Sequence, residues 1–236
     1  MTKRPPLPTT GRLSSRMGAA EKAQIAMDLL GFSVPAVLPD EVELEIGFGN
    51  GSALIKRAKA SPQRFFIGSE VYLNGMAQAL RGAKGLTNVA LTTTDARELL
   101  ATLPAASISR IVVPHPDPWP KTSHQKRRIV QPDFLTACAR VLKANGELWV
   151  ITDWPDYAFH SLSLLYHSPD FVLQQTGAAA LRCKVKDKGI KNEDRDEMGP
   201  QLLAQAPQWW VPTAYQVKAL ALGRAPWFIS AQRKSF

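Results

Sequence analysis

Apolar and polar positions along this chain follow two periods in turn. AAEKAQIAMDLL, residues 19–30, repeats its apolar side chains at helical spacing and predicts a short amphipathic helix. After it, strand-like and helix-like segments alternate. VELEIGFG (42–49) reads as a strand, SALIKRAKA as a helix, RFFIGSEV (64–71) as a strand and NGMAQALRG as a helix. VALTTTD, RELLATL, SRIVVP, PDFLTACARVL and GELWVITD (146–153) continue the series. Strands that alternate with helices predict an α/β fold with a mostly parallel central sheet and helices on both faces, and the near-continuous apolar strands are what burial on both sides demands. In such sheets ligands gather at the carboxyl ends of the strands.

Past Asp153 the pattern goes on with a helix around DYAFHSLSLLYHS and a strand at FVLQQTG, then loosens between Arg182 and Met198, where charge is dense. A solvated loop is the simpler reading of that stretch, although Lys184, Lys186, Lys188 and Lys191 can add phosphate contacts. Trp209 and Trp210, between Pro207 and Pro212, read as a hydrophobic anchor. PTAYQVKALALG then predicts a helix and APWFISAQR a strand. Residues 1–18, rich in Pro, Thr and basic side chains, predict a flexible basic arm ahead of a single domain over 19–236.

Composition narrows the class of partner. The 236 residues are 45% hydrophobic, enough for a substantial core, and 29 Lys and Arg against 20 Asp and Glu leave a formal charge of +9. That excess favours a polyanion, nucleic acid first, and is silent on fold. Cys138 and Cys183 form no CxxC motif, and Cys138 within FLTACARVL reads as helix core, which fits a reducing cytoplasm. No apolar run reaches the roughly 18–20 residues of a membrane span, and no apolar h-region follows the basic start, so neither membrane nor export signal is expected. No His and Cys set has metal-ligand spacing, so no metal is expected. Monomer and homodimer both stay open.

The strand ends carry acids. Glu45 closes the first strand, and Gly47, Gly49 and Gly51 follow in a GxGxG spacing that lets the chain turn sharply and a ligand approach the backbone. A plain strand-to-helix turn is the rival reading, since the dinucleotide fingerprint is GxGxxG. Glu70, about 20 residues on at the end of the second strand, stands where an acid hydrogen-bonds ribose hydroxyls. Asp95, after the third strand, is placed for an exocyclic amine or as a cap for the helix that follows. Together these acids suit a ligand with ribose, adenine and a positive centre, such as S-adenosylmethionine.

Residues 112–128, VVPHPDPWPKTSHQKRR, run a β-branched strand into a stiff loop. Pro114, Pro116, Pro118 and Pro120 alternate with His115, Asp117 and Trp119, each fixing φ and removing a donor, so the loop can hold a carboxylate and an indole without regular structure. Trp119 can stack on a base or brace the loop. Lys121, Lys126, Arg127 and Arg128 are candidates for phosphates; a solvated helix start is the alternative, opposed by the helix dipole. His124, alone in its basic loop, receives no catalytic or metal role.

With Glu45-Ile-Gly-Phe-Gly-Asn-Gly51, Gly68-Ser-Glu70, Asp95-Ala96, Pro116-Asp-Pro-Trp119, Lys121, the HQKRR block and Thr152-Asp153-Trp154, the chain resembles the bacterial tRNA (guanine-N7-)-methyltransferase family over nearly its whole length. That resemblance implies a Rossmann-like class I methyltransferase fold and methylation of a guanine in the variable loop of tRNA. It implies cofactor binding by Glu45, Glu70, Asp95 and Asp117 around Gly47, Gly49 and Gly51, with Asp117 catalytic. It implies substrate contact by Lys121, Asp153, Thr213, Tyr215 and Gln216, with Ser123, His124, Gln125, Lys126, Arg127 and Arg128 on the RNA. N7 of guanine has a free lone pair and no proton, so Asp117 is expected to position base or cofactor and stabilise the purine cation rather than abstract a proton. Two departures stand out: His115 replaces the family's Phe before PDPW, and Thr213-Ala-Tyr-Gln216 replaces TKFE. Because of the second, an RNA-binding paralogue with weak or lost catalysis is the alternative, and a nicotinamide oxidoreductase a more distant one.

Overall fold

The computed structural model describes residues 17–174 and 206–235. The predicted Lys184, Lys186, Lys188 and Lys191 cluster, Cys183 and most of the amino-terminal arm lie outside the described residues. Helix α1 (Ala19–Leu30) precedes β1 (Val42–Ile46), α2 (Ser52–Ala60), β2 (Phe65–Ser69), α3 (Leu73–Ala83), β3 (Val89–Thr92), α4 (Ala96–Thr102) and β4 (Ile108–Pro114). After a 3-10 turn at Thr122–Arg127 come α5 (Pro132–Val141), β5 (Leu142–Thr152), α6 (Pro155–Tyr166), β6 (Phe171–Leu173), α7 (Ala214–Ala221) and β7 (Trp227–Arg233). The seven strands form one sheet in the order β3-β2-β1-β4-β5-β7-β6. β3, β2, β1, β4 and β5 run parallel to one another, while β7 is antiparallel to both β5 and β6.

Alternation within the strands sorts side chains onto the two faces. Val42, Leu44 and Ile46 of β1 join Ile111 and Val113 of β4, Leu148 and Val150 of β5, and Leu99, Phe134 and Tyr157 from α4, α5 and α6 in one buried cluster. A second cluster unites Phe48, Leu54, Phe66, Met76, Leu80 and Leu91 with Ile25 of α1. Helices therefore cover both faces, as the apolar strands require.

Beta strand β1 also buries two acids. Arg57 of α2 reaches Glu43 at 2.9 Å and pairs with Glu45, while Arg110 of β4 reaches Glu43 at 3.1 Å and Glu147 at 2.8 Å. Trp209 lies on the Arg110 guanidinium at 4.1 Å, and Trp210 packs with Val112, Trp149, Ile151 and Phe228. The expected anchor thus packs over a charge network in which Glu43, Glu45 and Arg57 are buried yet paired. Register brings Glu45 beside Gly68 and Val112. The strand order reverses at β1, so the loops after β1, β2 and β4 open side by side, at the switch point where an α/β sheet has its crevice.

Candidate active site at the carboxyl end of the sheet

A cavity of about 580 Å³ occupies this crevice. Its floor is the loop after β1, where Gly47, Gly49 and Gly51 have φ of 78°, 63° and 74°, a region that favours glycine. A Cβ on Gly47 or Gly49 would meet nothing within 4 Å, so bare backbone faces open space there. Gly51 serves packing instead: it precedes α2, and a Cβ would lie 2.6 Å from that of Ala79 on α3. Gly75, which the sequence reading passed over, has the stricter requirement, because its Cβ would stand 2.1 Å from the Gly49 carbonyl oxygen. Its only sequence signal is an isolated glycine inside a helical pattern.

Glu70 and Asp117 line the same hollow, together with Asp95. The Glu70 carboxylate accepts from Gly49 N and from Tyr72 N, both at 2.8 Å, and so ties the β1 and β2 loops together. Burial raises its pKa above the ordinary carboxylate value against the pull of those bonds, and the Asp117 charge acts in the same direction. Asp95 combines both expected roles: Oδ1 accepts from Arg97 N at 2.9 Å, capping α4, and the residue lines the cavity. Glu45 lies outside the lining. It is 1% exposed and held by Arg57, so a guanidinium already offsets the charge expected to face a sulfonium.

The proline loop departs from expectation most. His115 and Trp119 both have left-handed backbones, φ 47° and 42°, and so fold Pro116-Asp-Pro118 back over the sheet end. Arg128, expected on RNA phosphates, is 0% exposed. Its Nε donates to the Pro118 carbonyl at 3.0 Å, its guanidinium pairs with Asp156 of α6, and it lies 5.3 Å from the Tyr157 ring centroid. Arg128 is therefore a brace for the loop rather than an exposed phosphate contact. Trp119 is likewise packed within the loop, with the Arg127 guanidinium 4.9 Å from its ring and His124 edge-on at 5.7 Å, and it does not line the cavity. Lys121, Ser123 and Lys126 are exposed on or beside the 3-10 turn, with His124, Gln125 and Arg127 half-buried, all outside the lining.

Further lining comes from β4 and α7. Thr213 caps α7, its Oγ1 accepting from Gln216 N at 3.1 Å, and lines the cavity with Tyr215. Gln216 turns inward: it is 4% exposed, its Oε1 accepts from Trp210 Nε1 at 2.9 Å, and its side chain also reaches His115, so it stands behind the cavity wall rather than in the lining. Asp153 is also covered. The Tyr215 hydroxyl donates to it at 3.3 Å, and Arg224 Nε and His115 Nδ1 stand 3.4 and 3.5 Å away. His115 itself lines the cavity, its ring 4.9 Å from that of Tyr215, and burial lowers its pKa against the pull of Asp153, favouring the neutral imidazole. Sequence reasoning noted His115 without giving it a place; its alternation with the prolines at a strand end was the available signal.

The family described as "Putative methyltransferase" matches residues 39–194. A tRNA (guanine-N(7)-)-methyltransferase of Rhodopseudomonas palustris (strain BisA53) is 44% identical over 177 residues, covering 68% of this chain and 71% of that protein. The enzyme of the same name from Azorhizobium caulinodans is 38% identical over 213 residues, 88% of this chain and 83% of its own length. The Paracoccus denitrificans one is 36% identical over 199 residues, 82% and 72%. Among solved structures, TrmN from Thermus thermophilus aligns over 88% of this chain and 48% of its own with a TM-score of 0.51 at 16% identity, a likeness of fold alone. With its strand order, its glycine loop and these relatives, the chain belongs to the tRNA (guanine-N7-)-methyltransferase family and has a Rossmann-like class I methyltransferase fold.

Proposed function

We propose that this chain methylates N7 of a guanine in tRNA, that the guanine lies in the variable loop, and that the methyl donor is S-adenosylmethionine. One observation carries the reading: Glu70, Asp95 and Asp117 converge on one cavity whose floor is the open backbone of Gly47 and Gly49. The residues fit the donor. Acceptors at two strand ends suit ribose hydroxyls and an exocyclic amine, and three carboxylates suit a ligand with cationic centres. Bound there, S-adenosylmethionine supplies an electrophilic methyl group.

The chain's own residues do the rest by position. Guanine N7 needs no general base, so alignment and exclusion of water dominate, effects that reach roughly 7–11 kcal/mol in well-oriented systems. Asp117, on a loop held by Arg128 and by two left-handed residues, orients the base and stabilises the positive charge that grows on the purine. The Tyr215 ring and His115, whose burial favours the neutral imidazole, line the same cavity and add no like charge to a cationic product. Lys121, Ser123 and Lys126 meet the RNA backbone from the exposed turn. The RNA-binding paralogue rests on the TAYQ segment, whose Gln216 holds Trp210 and touches the cavity only through His115; the transfer assay separates the two readings. The reading places one cytoplasmic domain, residues 19–236, behind a basic arm.

The test is to incubate the purified protein with labelled S-adenosylmethionine and unmodified tRNA and to map N7-methylguanosine by chemical cleavage. Label at one variable-loop guanine is expected; no transfer, or label on another base, refutes the reading. Asp117→Asn should lower transfer sharply, and full activity with unchanged tRNA affinity would remove Asp117 from its role.

A further inference from the structure

The cavity is lined by unlike groups. The carboxylates Glu70, Asp95 and Asp117 come from the loops after β2, β3 and β4; Ala214, Tyr215 and Lys218 come from the first turns of α7. Among the described lining residues Lys218 is the one lysine or arginine. A nucleotide whose base enters this hollow brings a phosphate past three carboxylates. Without a cation at the mouth it meets repulsion.

The rotation of α7 is set by four contacts. Thr213 caps it, the Tyr215 hydroxyl reaches Asp153, Gln216 is held by Trp210, and Ala219 is 1% exposed in the core. With Gln216 and Ala219 facing inward, Ala214 and Lys218, one helical turn apart, share the face toward the cavity. Lys218 is exposed, and among the described residues no ion pair engages it. Arg128, the nearer candidate by sequence, is buried and engaged elsewhere.

We propose that Lys218 is a substrate-binding residue that holds the phosphate of the nucleotide presented to the cavity, an inference that rests on the tRNA reading above. Lys218 binds and orients; it takes no part in the chemical step.

The test measures tRNA affinity by fluorescence anisotropy across salt, cofactor affinity by calorimetric titration, and methyl transfer, for wild type, K218Q and A214K/K218Q. K218Q should weaken tRNA binding roughly tenfold at low salt, as loss of one charge-assisted contact does. It should also make the log–log salt slope shallower by about one. KM for tRNA should follow while kcat changes by no more than about twofold and cofactor affinity stays put. A214K/K218Q should recover the wild-type slope. An unchanged slope in K218Q, a loss of cofactor affinity with tRNA binding intact, or no recovery in the double variant overturns the proposal. Methyl transfer is a separate readout: a wild type that binds tRNA through Lys218 but transfers nothing defeats the methylation reading alone. Transfer with a Lys218-independent slope defeats this one alone.

Discussion

Arg128→Ala separates a brace from a phosphate contact. The wild-type side chain is 0% exposed and donates to the Pro118 carbonyl at 3.0 Å, a charge-assisted hydrogen bond that contributes about 1.5–3 kcal/mol. Its place 5.3 Å from the Tyr157 ring centroid adds about 1–2 kcal/mol in a desolvated setting. Asp156 loses its partner, but its side chain is 25% exposed and water can solvate it, so the full penalty of a stranded buried charge does not apply. The loss should be about 2.5–5 kcal/mol, lowering Tm by roughly 5–20 °C for a chain of this size. Arg128→Lys should recover little of it, since one ammonium cannot span the Pro118 carbonyl and Asp156 as a guanidinium fork does. Thermal melts followed by circular dichroism measure the first effect; the salt slope of tRNA binding measures the second and should match wild type. A variant with Tm within about 2 °C of wild type and a slope shallower by about one would refute the brace.

Three further outcomes follow from the geometry. Gly75→Ala places a Cβ 2.1 Å from the Gly49 oxygen, so the floor loop must move; calorimetry should show cofactor affinity falling by more than about tenfold, with stability lower by about 1–3 kcal/mol. Burial raises the Glu70 pKa, so the carboxylate that holds Gly49 N and Tyr72 N takes up a proton at higher pH than an exposed glutamate. Cofactor affinity should fall as pH drops through that raised value, and Glu70→Gln should flatten the profile; parallel profiles would contradict this. Burial lowers the His115 pKa, so between the ordinary imidazole value and the lower folded one the unfolded chain binds a proton that the fold refuses. Stability is therefore lost as pH falls through that window, and His115→Phe should remove that loss in urea titrations run from about pH 8 to 5; equal slopes for the two proteins would show His115 to be irrelevant.

The helices at Ala19–Leu30 and Ser52–Ala60 lie where the hydrophobic pattern puts them, and the parallel sheet follows from apolar strands alternating with helices. Strand ends were less legible. β1 stops at Ile46 because Gly47 turns left-handed, and β5 begins at Leu142 rather than Gly146 because α5 runs straight into it. The acids Glu70, Asp95 and Asp117 were legible because each follows a strand, and parallel strands bring their ends together whatever their separation in the chain. Glu45 follows the same rule in sequence, yet its alternation along β1 turns it toward Arg57.

What the chain's order of residues determined by itself was the sheet, its crevice and the acids on its rim, because periodicity and strand-end position are local properties. What only the packed structure decided was which charges face water. Arg127 and Arg128 are neighbours in a basic run, but one guanidinium lies on an exposed turn against Trp119 and the other is closed in by Pro118, Asp156 and Tyr157. Gln216 and Lys218 are two residues apart on one helix, and a turn of about 200° between them sends the first to Trp210 and the second to the cavity. Burial depends on partners outside the local periodicity, from Trp210 six residues before Gln216 to Asp156 twenty-eight after Arg128, and those partners carry no mark in the local pattern.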